Sequence, residues 1–283
     1  MRVLAFLFLA ASASASEDCA ASTGQLQGKT AIITGASRGV GAELARVFAR
    51  EGANVVVNYF QSKDKANAVA AEINGNTGDG GGRAVVAYGD VTNKEDMLAL
   101  VATAKAEFGA VEILVNNALA KYQFNPASPQ ASIETVEWEH FDQQMRGSLA
   151  GAVNAVQAVL PLFSASGFGK IVNIGTNLVY NPVVTYYDYT ASKAALVGLT
   201  RNLAAELGPK GVRVNLVAGG LLETTDASSL TTPEVFGYVA AGTPLRKTTT
   251  VSEFANACVF FASDASNAVT GQSLSVDGGL TMP

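Results

Sequence analysis

From Lys29 onward, short Val- and Ile-rich runs of strand length alternate with longer stretches of helical spacing. The runs fall at 30–34, 54–58, 84–88, 112–116, 170–174, 212–217 and 272–276. The helical stretches fall near 40–51, 63–73, 93–108, 133–163, 188–208 and 251–263. Several runs, Val55-Val56-Val57 among them, lack the in–out alternation of a sheet with one wet face. A continuous apolar strand needs cover on both faces, which a parallel sheet flanked by crossover helices supplies. The expected architecture is α/β: one domain with a doubly wound parallel sheet of about seven strands, helices on both faces, and ligands beyond the carboxyl ends of the strands.

Three stretches interrupt the alternation. Asn74 to Gly82 is glycine-rich and reads as a surface loop. Segment 221–244 lacks strong periodicity, and a segment that long in a compact domain is expected to act as a lid over a site. At the start, Met1-Arg2, the apolar stretch Val3 to Ala10 and the Ala/Ser alternation to Ser16 have the pattern of a secretory signal, with cuts after Ala13 or Ala15. The expected division is therefore a signal-like segment, 1–25, and a catalytic domain, 26–283. A cleaved signal implies the secretory pathway, an organelle lumen, the periplasm or the exterior; a frayed extension would leave the protein in the cytoplasm.

Composition removes several classes. With 48% hydrophobic and 15% charged residues the chain has enough apolar surface for a core and too little charge for disorder. A net charge of −5 with no basic stripe speaks against nucleic acid. No apolar run reaches the ~18 residues of a membrane span. The single histidine, His140, reads as a surface residue, and Cys19 and Cys258 make neither a disulfide framework nor a CxxC pair, so no metal site is expected. Cys258, in an apolar helical run, reads as a buried core thiol.

The first strand runs into Thr34-Gly35-Ala36-Ser37-Arg38-Gly39-Val40-Gly41, and a helix follows. Glycines at 35, 39 and 41 let the backbone turn tightly, approach a pyrophosphate and open a closely packed helix. The second strand ends at Asn58, where an acidic residue would bind the ribose 2′-hydroxyl of NAD. The position is neutral and Arg38 stands in the glycine loop, so NADP(H) is expected in preference to NAD(H). Asp90, after the third strand, reads either as an acceptor for an adenine amino group or as an ordinary helix-preceding Asp.

Tyr189 and Lys193 stand four residues apart within a helical stretch, on one face. An adjacent ammonium favours the phenolate, so the pair is expected to bring the tyrosine pKa down and make it an acid/base near neutral pH. A second such pair, Tyr59 and Lys63, straddles a strand end and a helix start and should not share a face.

These pieces together resemble the short-chain dehydrogenase/reductase family, in particular its 3-oxoacyl-[acyl-carrier-protein] reductase-like branch, across about 27–279. The matching motifs stand in family order: the glycine loop at 34–41, Gly89-Asp90-Val91, Asn116-Asn117-Ala118, Tyr189-Thr190-Ala191-Ser192-Lys193, Arg213-Val214-Asn215, and the closing Thr270-Gly271-Gln272 and Val276-Asp277-Gly278-Gly279. The resemblance implies a Rossmann-type fold and a reaction between a carbonyl and a secondary alcohol. In it Tyr189 is the acid/base, Lys193 assists it and holds the nicotinamide ribose, and Thr176, where the family usually has serine, binds the substrate oxygen. It further implies a cofactor surface of Gly35, Ser37, Arg38, Gly39, Val40, Gly41, Asn58, Asp90, Val91, Asn116, Ala118, Gly220, Leu222 and Thr224, together with Tyr189 and Lys193.

There are departures. Ser148 stands where the family has an asparagine that positions a water relay to the lysine. Leu119 and Gly219-Gly220 replace a glycine and a Pro-Gly pair. These flank the expected cleft and motivate two other readings: a scaffold that binds cofactor without turnover, and a cyclase or dehydratase using the same pocket. Leu119, Tyr122, Phe124, Leu178, Tyr180, Phe236 and Tyr238 suggest a small apolar or aromatic carbonyl or alcohol as substrate. By analogy with the family, helices 93–108 and 133–163 are expected to make a homodimer or homotetramer.

Overall fold

The structure, a computed structural model, describes residues 24–282 apart from 77–79, 121, 123, 126, 224 and 226–227. The signal-like segment lies almost wholly outside the described residues, as do Cys19 and Thr224.

Seven strands form one parallel sheet: β1 (Thr30–Ile33), β2 (Asn54–Tyr59), β3 (Ala84–Tyr88), β4 (Ile113–Asn116), β5 (Gly169–Thr176), β6 (Val212–Gly219) and β7 (Ser273–Val276), in the order β3-β2-β1-β4-β5-β6-β7. The helices between them are α1 (Gly39–Arg50), α2 (Lys63–Gly75), α3 (Lys94–Phe108), α4 (Trp138–Met145), α5 (Gly151–Ser166), α6 (Tyr187–Leu207), α7 (Pro233–Gly242) and α8 (Val251–Ala262). The strand order reverses between β1 and β4, which opens a crevice at their carboxyl ends.

Two cores explain the unalternating strands. Ile33, Val55, Val57, Val115 and Val172 face Leu44 and Phe48 of α1 and Phe254 and Cys258 of α8. Their neighbours Ile32, Val56, Leu114 and Ile171 face the other way, onto Met97 and Leu100 of α3 and Val159 and Phe163 of α5. Each such fully buried side chain contributes about 1.5–3 kcal/mol.

Local chemistry sets the ends. The Asn93 carboxamide accepts the Glu95 and Asp96 amides to start α3, and Thr250 with Glu253 boxes the start of α8. The helical stretch expected at 133–163 starts later, at Trp138, because Ser132 to Glu137 is spent in turns. His140 is half-buried at the surface: its Nδ1 accepts the Glu137 amide at 3.1 Å and helps to fix that start. Arg146–Ala150 then widens into a π turn between α4 and α5. The continuous helical stretch Trp138–Ser166 is long and apolar enough to cross a membrane by length and composition alone. Val156, Val159 and Phe163 nonetheless pack it under the sheet.

Segment 221–244 carries a helix the periodicity did not announce. None of the residues of α7 is buried, so it has no apolar face to imprint a pattern.

Candidate active site

The turn after β1 is tied to its neighbours before any ligand is considered. Thr34 Oγ1 accepts the amides of Asn117 and Ala118, both at 3.0 Å, and donates to Val115 O at 3.2 Å. Asn117 Nδ2 donates to the carbonyls of Thr34 and Gly35 at 2.9 and 3.2 Å. Gly35 has φ +65°, and a Cβ there would lie 2.9 Å from Ala118 Cα. A Cβ on Gly41 would lie 2.5 Å from both Gly35 O and Asn117 Nδ2. The bare backbone forms a cradle at the N-terminus of α1, where a pyrophosphate is favoured by free amides and the helix field. Ser37 is buried in the turn, Arg38 is exposed beside it, and Val40 packs on the core. Thr225, after β6, is the side chain nearest Gly39, so segment 221–244 meets the glycine turn.

Asn58 is held on both sides by backbone groups. It is 1% exposed; its Oδ1 accepts the Gly35 amide at 3.0 Å and its Nδ2 donates to Gly89 O at 3.0 Å. Both ends of the carboxamide are engaged by backbone, so Asn58 joins the ends of β1, β2 and β3.

Asp90 Oδ1 accepts the amide and the hydroxyl of Thr92 at 2.9 and 2.8 Å. That local turn fixes the Asp90 side chain at the end of β3 and leaves both readings of it open. Val91 packs where a Cβ on Gly151 would intrude, and its carbonyl accepts Asn154 Nδ2 at 2.9 Å.

Asn116 ends β4 and points into the protein. Its Nδ2 donates to Asn173 Oδ1 at 2.8 Å, Asn173 Nδ2 donates to Thr200 Oγ1 at 2.8 Å, and Thr200 donates to Leu196 O at 2.7 Å. Sequence reading missed this buried polar chain through the sheet, although three polar side chains in apolar elements were its signal. Asn116 Oδ1 and Ser148 Oγ are buried without a hydrogen-bond partner among the described residues. Ser148 sits in the π turn, which packs against α6. Gly220 lies against Asp277, whose Oδ2 accepts Asn177 Nδ2 at 2.9 Å, and Leu222 bridges to Thr249.

Tyr189 and Lys193 share the face of α6 that meets the end of β5. Lys193 Nζ donates to Ile174 O at 2.8 Å and lies 5.9 Å from the Tyr189 ring centroid. Thr176, the last residue of β5, stands near enough to the Tyr189 hydroxyl to favour its ionised form. Tyr59 ends β2 and Lys63 opens α2, so that second pair does not share a helix face.

The expected fall in the tyrosine pKa does not occur in the protein alone. Burial pushes Tyr189 up to about 12, opposed by Thr176. Burial also brings Lys193 down to about 8. At neutral pH the pair is a protonated phenol beside an ammonium, which can hand a proton to an oxygen that becomes strongly basic. Among the described residues no cluster of His, Cys, Asp and Glu could hold a metal.

A parallel Rossmann-type sheet, a glycine turn at its crevice and a Tyr–Lys pair beside them define an oxidoreductase class. The chain belongs to the short-chain dehydrogenase/reductase family: the family model described as enoyl-(acyl carrier protein) reductase matches residues 35–281. It is 32% identical over 257 residues to a 3-oxoacyl-[acyl-carrier-protein] reductase of Staphylococcus epidermidis, covering 90% of this chain and 99% of that one. It is 35% identical over 259 residues to a 3beta-hydroxysteroid dehydrogenase 1 of Eggerthella lenta, covering 91% and 95%. A gluconate 5-dehydrogenase of Burkholderia cenocepacia, solved with NADP and tartrate, superposes with a TM-score of 0.80 at 33% identity, covering 91% and 96%.

Proposed function

We propose that the protein is an NADP(H)-dependent ketoreductase or alcohol dehydrogenase acting on a small apolar or aromatic carbonyl or secondary alcohol. The observation that carries this is the convergence of Tyr189, Lys193 and Thr176 at the carboxyl end of β5. A bound nicotinamide supplies the hydride donor for reduction and the acceptor for oxidation. Tyr189 delivers its proton to the substrate oxygen, Thr176 bonds that oxygen and orients it, and the Lys193 charge steadies the phenolate left behind. Gly35, Gly39 and Gly41 would hold the pyrophosphate, with Arg38 at the 2′-phosphate. The carboxylate an NAD enzyme uses at the end of β2 is lacking here, where Asn58 and Tyr59 stand. The NADP of the gluconate dehydrogenase relative supports the same preference. By family analogy we further infer a homodimer or homotetramer, and from the signal-like segment a lumenal, periplasmic or secreted location.

The test is NADPH oxidation over a panel of ketones. Tyr189→Phe should lower turnover by about 10²–10⁴-fold while NADPH still binds, and Arg38→Ala should weaken NADPH about tenfold and leave NADH unchanged. A Tyr189→Phe enzyme as active as the native one would refute the assignment.

A further inference from the structure

Tyr189 is covered by two rings from the segment that follows β4. The Tyr122 ring stacks on it, centroids 5.1 Å apart at 26°, and Phe124 meets it edge-on at 5.0 Å and 88°. Tyr186 closes the group, 6.1 Å from Tyr122 and 5.3 Å from Phe124. Leu119 and Leu178 join the same cluster, so the surroundings of Tyr189 are apolar.

The tether of Tyr122 is polar. Its hydroxyl donates to Asp188 Oδ1 at 3.2 Å. Asp188 is the second residue of α6 and 1% exposed. It stands in the first turn of α6. An anion at that place is favoured by the helix field. Burial raises the Asp188 pKa, and burial followed by the Asp188 charge raises that of Tyr122. Tyr122 therefore keeps its proton on Asp188 and does not compete with Tyr189 as the acid, although the two rings touch. Ring stacking alone leaves the ring free to slide; the hydrogen bond to Asp188 adds a direction to it.

We propose that Asp188 is a positioning residue that sets substrate choice: through the Tyr122 hydroxyl it fixes the Tyr122 ring against Tyr189 as a flat apolar wall. The site then takes alicyclic or aromatic ketones and disfavours polyhydroxylated ones, whose hydroxyls would lie unbonded against the rings. This rests on the reading of Tyr189 as acid/base.

The experiment compares the full-length protein with Tyr122→Phe, Asp188→Ala and Asp188→Asn. Three quantities are followed: NADPH-dependent reduction of trans-1-decalone, NADP-dependent oxidation of gluconate, and hydrogen exchange of backbone amides. The native enzyme should favour decalone. Tyr122→Phe and Asp188→Ala should raise the KM for decalone about tenfold with kcat within about twofold, as loss of a charge-assisted bond that only orients the wall requires. Asp188→Asn keeps an acceptor oxygen and should recover most of the native KM. In Tyr122→Phe, amides in 118–131 should exchange about tenfold faster while those of α6 do not change. A fall in kcat at constant KM, an Asp188→Asn as impaired as Asp188→Ala, a native preference for gluconate, or unchanged exchange in 118–131 would each overturn the proposal. A native protein that turns over neither probe would remove the catalytic reading and with it the substrate choice; the exchange comparison would still decide whether Asp188 holds Tyr122.

Discussion

Lys170→Met should stabilise the protein at neutral pH, because Lys170 is a charge buried far from the chemistry. It lies on β5, is 0% exposed, and its Nζ donates to Ser266 Oγ at 3.0 Å. Burial, then the charges of Arg213 and Lys29 against that of Asp264, brings its pKa from 10.5 to about 8. Below pH 8 both folded and unfolded chains carry the charge, and the full cost of burying it is present. Between pH 8 and 10.5 the folded chain has released the proton while the unfolded chain still binds it, so stability rises with pH across that window. The difference amounts to about 3 kcal/mol at most. Methionine fills a similar volume, and Ser266 keeps its bonds to Phe261 O and Ser263 O at 2.9 and 3.1 Å, so no orphan is left. Allowing about 1 kcal/mol for the lost hydrogen bond, the variant should gain about 2 kcal/mol at pH 7 and lose about 1 near pH 10.5. Urea unfolding followed by circular dichroism at pH 7, 8, 9 and 10 reads this directly, because Lys193, Tyr189 and Cys258 titrate alike in both proteins and cancel. Parallel stability curves for the two proteins would refute the reasoning.

Two further substitutions probe the frame of the site. Gly41→Ala puts a methyl 2.5 Å from the Gly35 carbonyl, which cannot give without opening the turn. It should cost about 1–3 kcal/mol in thermal stability and weaken NADPH in a fluorescence titration, and native-like values for both would argue against the cradle. Asn173→Leu strips Asn116 Nδ2 of its buried acceptor while Thr200 keeps Leu196 O. It should destabilise by about 2 kcal/mol in urea, and a neutral result would mean that the polar chain is not needed for the fold.

The strands were legible because burial on both faces leaves a continuous apolar imprint, and their ends came within two residues of the observed ones. Helix α7 was not, since a helix without a buried face imprints nothing. Tyr189, Lys193 and Thr176 could be placed together because helical spacing and motif order both survive in one dimension. Asn58 was placed correctly at the end of β2, but its backbone partners were not foreseen. A neutral carboxamide reads the same whether it faces a ribose or bonds Gly35 N and Gly89 O, and only the approach of three strand ends decides. Asp188 was invisible for the same reason: its partner is 66 residues away across the cleft-forming segment.

The pKa of Tyr189 was misjudged because spacing reports a neighbour and not a dielectric. Lys193 is close enough to help, but its ammonium is bonded to Ile174 O, and burial acts on both groups in opposite directions. A phenol raised to about 12 is a poor base at neutral pH and a fully populated acid. In the proposed reduction that state is the reactant, since the forming alkoxide is far more basic than a phenolate and takes the proton downhill. In oxidation the protein must first ionise Tyr189 against its own burial, with Thr176 and the Lys193 charge as the groups able to offset that cost. Under the proposed function, ketone reduction is therefore expected to run fastest near neutral pH and alcohol oxidation to gain as the pH rises, which pH–rate profiles in the two directions would check.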